Sequence, residues 1–218
     1  MDERPIIFSG DSVRAIRADE KTQTRRVVQL PRWVQRKQPN LDAAFADRGG
    51  PGNPFAPAGV MYLHVPCADD DSVQRVYSPY GHPGDRLWVR ETCLLAYSSL
   101  GAVPAGNGRA IAYAADGYAL EAWEKWTPSI HMHRWASRLT LEVVGVRVER
   151  VQDITTEDCI AEGLSTTLRG HDAAVDLAEQ YRALWNALNT KRGHGWDVNP
   201  WVWVIEFRRH EEEGERDG

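Results

Sequence analysis

From Leu139 the apolar residues fall on alternate positions, first Leu139, Leu141 and Val143, then Val144, Val146 and Val148. Period-two spacing is that of a strand with one buried face, and the slip at Val143–Val144 predicts a bulge or a crossing between faces. No other feature constrains the fold as strongly, because such a strand must find neighbours for its backbone hydrogen bonds. Candidate partners are Ile6-Ile7-Phe8, Met61–Val65, Arg86–Glu91 behind the Tyr80–Asp85 turn signal, Ala110–Ala114, and Trp201–Phe207. In the last of these Trp201, Trp203, Ile205 and Phe207 share a face.

Helices are few. Ser9-Gly10-Asp11-Ser12 offers N-cap side chains to a helix that carries Val13 and Ile16 on one face and ends near Asp19. Thr155 or Thr156 caps a short helix running through Ile160 to Glu162, with Gly163 at its end. The clearest helix is Asp172–Asn189, where Leu177, Tyr181, Leu184, Trp185 and Leu188 recur at helical spacing. Lys21–Arg26 has no apolar period and reads as extended or looped. Gln38–Ala58, rich in Pro, Gly and Ala, reads as a surface loop or insertion. Strands and long helices do not alternate, so a doubly wound parallel sheet is excluded. The order fits an α+β class, a small mixed β-barrel with flanking helices, and 218 residues suit one elaborated domain.

Composition narrows the function. No stretch approaches the ~20 apolar residues of a membrane span, and Met1–Pro5 is charged rather than signal-like. Cys67, Cys93 and Cys159 are scattered and odd in number, which argues against a disulfide framework and for a reducing cytoplasm. The net charge of −5 argues against a bulk electrostatic grip on nucleic acid. Local patches are another matter. Arg14–Lys37 holds eight basic residues against Asp19 and Glu20, and 22 of the 26 basic residues are arginine. Arginine's planar fork suits phosphate and base stacking, although an arginine-favouring genome gives the same count.

Four segments, in order, resemble the ASCH superfamily of small domains with a PUA-like β-barrel. They are Asp19-Glu20-Lys21-Thr22-Gln23-Thr24-Arg25-Arg26, Pro83-Gly84-Asp85-Arg86-Leu87, the long Val143–Leu164 stretch with Asp153-Ile154-Thr155 and Ala161-Glu162-Gly163-Leu164, and Val204-Ile205-Glu206-Phe207. Ser129–Arg138 is similar to the larger phage and prophage members, whose insertions the minimal domain lacks. Here the insertions fall at about 28–80 and 94–135, within a single domain spanning 1–218. The resemblance implies a PUA-like barrel and, from its catalytic relatives, an N4-acetylcytidine amidohydrolase that needs no cofactor or metal. Carried over residue by residue, Lys21 and Thr24 match the K-T-x-T segment, and Glu162 matches the acid after the barrel's helix once one residue is gapped.

The resemblance implies that Lys21 is the base, that Thr24 is the nucleophile or holds the attacking water, and that Glu162 shuttles the proton. Arg26 stabilises an oxyanion or a phosphate in that scheme. The expected pocket lies where Lys21–Arg26, the Pro83–Trp88 turn and Glu162 converge. Glu20 departs from the family, whose members often carry glycine or lysine there, and so places an acid beside the lysine. Candidate nucleoside- or nucleic-acid-binding residues are Arg25, Arg26, Trp88, Arg90, His131, Arg134 and Trp135. Trp88 falls opposite the core positions Leu87 and Val89. Trp123, Trp126 and Trp135, interleaved with Lys125, His131, His133, Arg134 and Arg138, suit either base stacking or packing of the insertion on the barrel. His131 and His133 lack a second ligand pair for a metal. Besides the hydrolase, two readings stay open: an RNA- or DNA-binding module without chemistry, and a phage assembly protein.

Overall fold

The computed structural model describes residues 2–36, 39–41, 44–48, 61–67, 72–95, 110–122 and 124–210. Its strands are β1 (Glu3–Ile7), β2 (Gln23–Val27), β3 (Phe45–Arg48), β4 (Met61–Pro66), β5 (Val73–Tyr77), β6 (Arg86–Arg90), β7 (Cys93–Leu95), β8 (Ala110–Tyr113), β9 (Thr140–Arg150) and β10 (Trp201–Arg209). The helices are α1 (Gly10–Arg17), α2 (Arg32–Gln35), α3 (Thr156–Ala161) and α4 (Gly170–Asn189). The main sheet runs β1-β6-β9-β10-β2, a second runs β3-β4-β5, and β7 pairs with β8. Within the main sheet only β1–β6 is parallel.

The long alternating segment becomes β9, and its phase slip is a bulge. Glu206 of β10 faces Gly145 and Phe207 faces Val143, leaving Val144 between them at 51% exposure. One extra residue resets the alternation, so Leu141, Val143, Val146 and Val148 all bury the same face. That face meets Ile6, Leu87, Val89, Trp203, Ile205 and Phe207, with Val13 and Ile16 of α1 beneath them. Leu63, Val65 and Val76 of the second sheet complete this core. The opposite face of β10, through Val202 and Val204, packs on Cys159 of α3 and on Leu177, Tyr181 and Trp185 of α4. β10 is therefore apolar on both faces, as a strand covered on both sides must be.

Local signals placed the helix ends. Ser9 caps α1 through the Ser12 N–H, and Asp19 takes a left-handed φ of 57° just after it. Thr155 and Asp158 form a reciprocal capping box on α3.

Three expectations change. Among the described residues the main sheet is open, with β1 and β2 as its edges, and forms no closed barrel. The two edges meet through one side chain, where Arg26 donates to the Ile7 carbonyl at 2.5 Å. The Gln38–Ala58 segment contains β3, because β4 offers it an edge; the rest of that stretch lies mostly outside the described residues. On α4 only the i, i+4, i+8 stripe of Leu177, Tyr181 and Trp185 meets the sheet, so Leu184 and Leu188 flank it and stay exposed.

The segment from β7 to Ala136 docks through a small core of Cys93, Leu95, Met132 and Ala136. An ionic clamp fixes its end. Buried Glu91 accepts from Arg138 at 2.9 and 3.0 Å, and Asp116 accepts from both Arg138 and Arg17. Trp123 lies outside the described residues. No helix among the described residues is long and apolar enough to cross a membrane.

Candidate functional site

The chain returns from α1 directly into a contact with α3. Lys21 N–H donates to Ala15 O at 3.2 Å, Thr22 N–H donates to Ala161 O at 2.9 Å, and Lys21 forms a β-bridge with Glu162. Gly163 makes this approach possible. Its φ is +89°, and a β-carbon there would stand 3.2 Å from Lys21 Cβ and 3.3 Å from Ala15 Cβ.

Lys21 and Glu162, 141 residues apart in sequence, are thereby brought together. Lys21 Nζ donates to Glu162 Oε2 at 2.5 Å and to the Glu162 carbonyl at 2.7 Å. Both side chains are only 5% exposed. Burial lowers the Lys21 pKa; the Glu162 carboxylate opposes this, and Arg26 and Arg25 add to the lowering. Glu162 Oε1 is buried without a hydrogen-bond partner, with Arg25 Nη1 at 3.7 Å as its ion-pair neighbour.

Arg25 extends the site into a charged layer between sheet and helices. β2 pairs Arg25 with Val204, which faces α4, and Thr24 with Ile205, which faces the main core. The Arg25 side chain, with no exposure, donates to Asp158 at 2.8 Å, to Glu149 at 3.2 Å and to Gln23. Gln23 in turn donates to Asp158 at 2.9 Å, and Arg147 donates to Asp158 at 2.7 Å and to Glu149 and Glu206. Burial works against the Asp158 carboxylate, but the Gln23 amide, the Thr155 N–H, Arg25 and Arg147 outweigh it and hold its pKa well below the usual range. Tyr181 lies under Arg25, its ring centre 6.0 Å from the guanidinium, and burial keeps its phenol neutral far above the usual value.

Sequence reasoning missed Gln23, Arg147, Glu149 and Asp158. The signal was present but faint: Arg147 and Glu149 occupy the alternate positions of β9, and Asp158 is the third residue of a capping box.

Thr24 is buried, but it sits on the other face of β2, and its hydroxyl makes no hydrogen bond to Lys21 or Glu162. Arg26 shares that face. Its guanidinium lies 5.1 Å from the Phe8 ring centre, and its Nε is buried without a partner.

The remaining candidates gather elsewhere. Trp88 and Arg90 lie on the outer face of β6, with the Arg90 guanidinium 5.4 Å from the Trp88 ring and bonded to the Ile130 carbonyl. His131 ends an exposed turn, and Arg134 is held by Glu3 through two bonds of 2.8 and 2.7 Å. Trp135 stacks on His133 at 5.8 Å. Among the described residues, no hydrogen bond or ion pair joins this group to Lys21 or Glu162. No hydrogen bond or ion pair among the described residues joins the Pro83–Trp88 turn to the pair; β6 stands beside β1, whose Ile7 carbonyl accepts from Arg26. No three His, Cys, Asp or Glu residues among those described are placed to hold a metal ion. The thiol of Cys159, beneath α3, is pushed up to about 11 by burial and is a packing group.

The site thus offers a desolvated amine held against a carboxylate with one free oxygen. That combination can take a proton from a bound group and return it. No family model, curated protein or solved structure matches the chain.

Proposed function

We propose that this chain recognises a nucleobase or nucleoside and hydrolyses the amide of an N4-acylated cytidine or related pyrimidine. The observation that carries the reading is the buried Lys21–Glu162 pair with its unpartnered Glu162 Oε1. The sequence resemblance supports it as well, and the four segments behind that resemblance are contiguous in space. β2 pairs with β10, β10 with β9, and β9 with β6, while Gly84 donates to the Val143 carbonyl.

In this reading Lys21, whose neutral amine is favoured by burial, takes a proton from an attacking water. The water oxygen adds to the acyl carbonyl and forms a tetrahedral intermediate. The proton passes by way of Glu162 to N4, the C–N bond breaks, and the products are the free acid and the amine of the base. Thr24 lies on the other face of β2; as nucleophile it would carry the acyl group as an ester that water must cleave in a second step, and Thr24→Val tests that variant of the reading.

The test is deacylation of N4-acetylcytidine and related N4-acyl nucleosides by wild type, Lys21→Met, Glu162→Gln and Thr24→Val. Loss of a general base should lower kcat/KM by ~10²–10⁴-fold. In wild type, kcat/KM should rise with pH and level off below the ordinary lysine value of ~10.4. A folded wild-type protein with no turnover on any of these compounds, or full turnover by Lys21→Met, overturns the reading.

A further inference from the structure

Arg26 differs from the buried arginines around it. Arg25, its neighbour in β2, meets Asp158, Glu149 and Glu162, and Arg138 meets Glu91 and Asp116, so carboxylates neutralise both. Arg26 is part-buried on the core face of β2 and forms no ion pair among the described residues. Its Nη2 donates to the Ile7 carbonyl at 2.5 Å, and its guanidinium lies 5.1 Å from the Phe8 ring centre. Nε is buried with no acceptor, and Nη1 makes no hydrogen bond among the described residues. Burial lowers the Arg26 pKa; Tyr80, Glu162 and Tyr181 oppose this, and Arg192 adds to it. Glu162 attracts Arg26 from beyond ion-pair distance and is itself held by Lys21 at 2.5 Å.

Two hydroxyls stand with it. Thr24 is on the same face of β2 two residues earlier, roughly 7 Å along the strand. It is buried, and its hydroxyl makes no hydrogen bond among the described residues. Tyr80 packs against the same core, and among the described residues its phenol makes no hydrogen bond either. Burial raises the Tyr80 pKa and Arg26 opposes this, with the net effect upward, so the phenol keeps its proton and can donate it. A desolvated cation is costly unless it is paired, and a buried N–H without an acceptor calls for a physical reason.

A guanidinium, a phenol and a hydroxyl are all donors, and the acceptor that suits them together is an anion with several oxygens. We infer that Arg26 and Tyr80, with Thr24 as a third donor beside them, form a subsite for the phosphate group of a nucleotide. An oxyanion developing on the acyl carbon would sit against Lys21, and Arg26 makes no hydrogen bond or ion pair with Lys21 or Glu162. An anion elsewhere on the ligand is what Arg26 can hold. The subsite is within electrostatic reach of the pair, since Arg26 is among the charges that lower the Lys21 pKa. The inference rests on the nucleoside reading and deepens it: with the amide of the base at Lys21 and a phosphate at Arg26, the substrate is a phosphorylated nucleoside. Free phosphate would use the same donors, and the experiment separates the two.

The experiment follows the arginine Nε–H signals of the isotope-labelled protein by NMR during titration with cytidine, cytidine monophosphate and inorganic phosphate. The Arg26 signal is assigned by its disappearance in Arg26→Lys. It should move with the monophosphate and with inorganic phosphate, and far less with cytidine. The monophosphate should bind ~10-fold or more tightly than cytidine, the usual worth of a hydrogen bond to a charged group. Arg26→Gln should abolish that preference and leave the cytidine affinity in place. Tyr80→Phe, which keeps the ring, should reduce it ~2–10-fold. Arg26 also ties β2 to β1, so the wild-type titration and Tyr80→Phe carry the test if Arg26→Gln does not fold. An Arg26 signal that ignores both phosphates overturns the inference and leaves Arg26 a bridge between strands. A signal moved by inorganic phosphate, with equal affinity for monophosphate and cytidine, overturns the nucleotide as occupant in favour of free phosphate. A preference that survives in Arg26→Gln overturns the inference as well. Turnover of N4-acetylcytidine at the Lys21–Glu162 pair involves no phosphate, so either reading can fail without the other.

Discussion

Replacing Lys21 by methionine keeps most of the side chain's volume and removes its charge and its N–H donors. The structure specifies what is left behind. Glu162 loses the 2.5 Å bond to its carboxylate and the 2.7 Å bond to its carbonyl, in a place where its side chain is 5% exposed. Removing one partner of a buried pair costs about 3–5 kcal/mol, because the remaining charge is desolvated without compensation. Arg25 stays 3.7 Å from Glu162 Oε1, which puts the expected loss near the lower end, ~3 kcal/mol. For a chain of this size that is a fall in Tm of roughly 6–12 °C. Urea unfolding followed by tryptophan fluorescence should show a lower midpoint with an unchanged slope. A double variant tests the cause. The double variant Lys21→Met/Glu162→Gln, with no buried charge left over, should be more stable than Lys21→Met alone at neutral pH. A double variant as unstable as the summed singles would refute the reasoning.

Two further outcomes follow from the same site. Gly163→Ala should cost about 1–2 kcal/mol, since its φ of +89° is costly for an L-residue and the added β-carbon presses on Lys21 and Ala15; chemical denaturation checks this, and a neutral result would mean the backbone relaxes. Asp158 has a folded-state pKa held well below the unfolded ~3.9, so the stability it contributes is present above that value and is lost as pH falls below it; Asp158→Asn should lose less stability than wild type between neutral pH and pH of about 3, and equal losses would remove Asp158 from the account.

Much of the local structure was legible before any tertiary contact was known. The Ser9 and Thr155 caps, the α4 stripe and the phase slip in β9 depend on residues a few positions apart, and the structure places each of them. The site was legible in part. Lys21 and Glu162 were singled out by the segments they sit in, and the fold sets them against each other. Their charged surroundings were not legible, because Arg25, Arg147 and Asp158 meet only when β2, β9 and α3 are stacked.

By itself, then, the sequence determined periodicity, capping and turn positions, and with them an α+β class of short strands and few helices. These are properties of neighbouring residues, set by backbone geometry and side-chain alternation. Tertiary structure alone decided that the main sheet, among the described residues, stays open between β1 and β2, that Thr24 faces one side of β2 while Arg25 faces the other, and that Lys21 is desolvated against Glu162. Each of these depends on which distant segment supplies the missing hydrogen bond or excludes the water, and nothing within a few residues of Lys21 encodes the carboxylate 141 positions away.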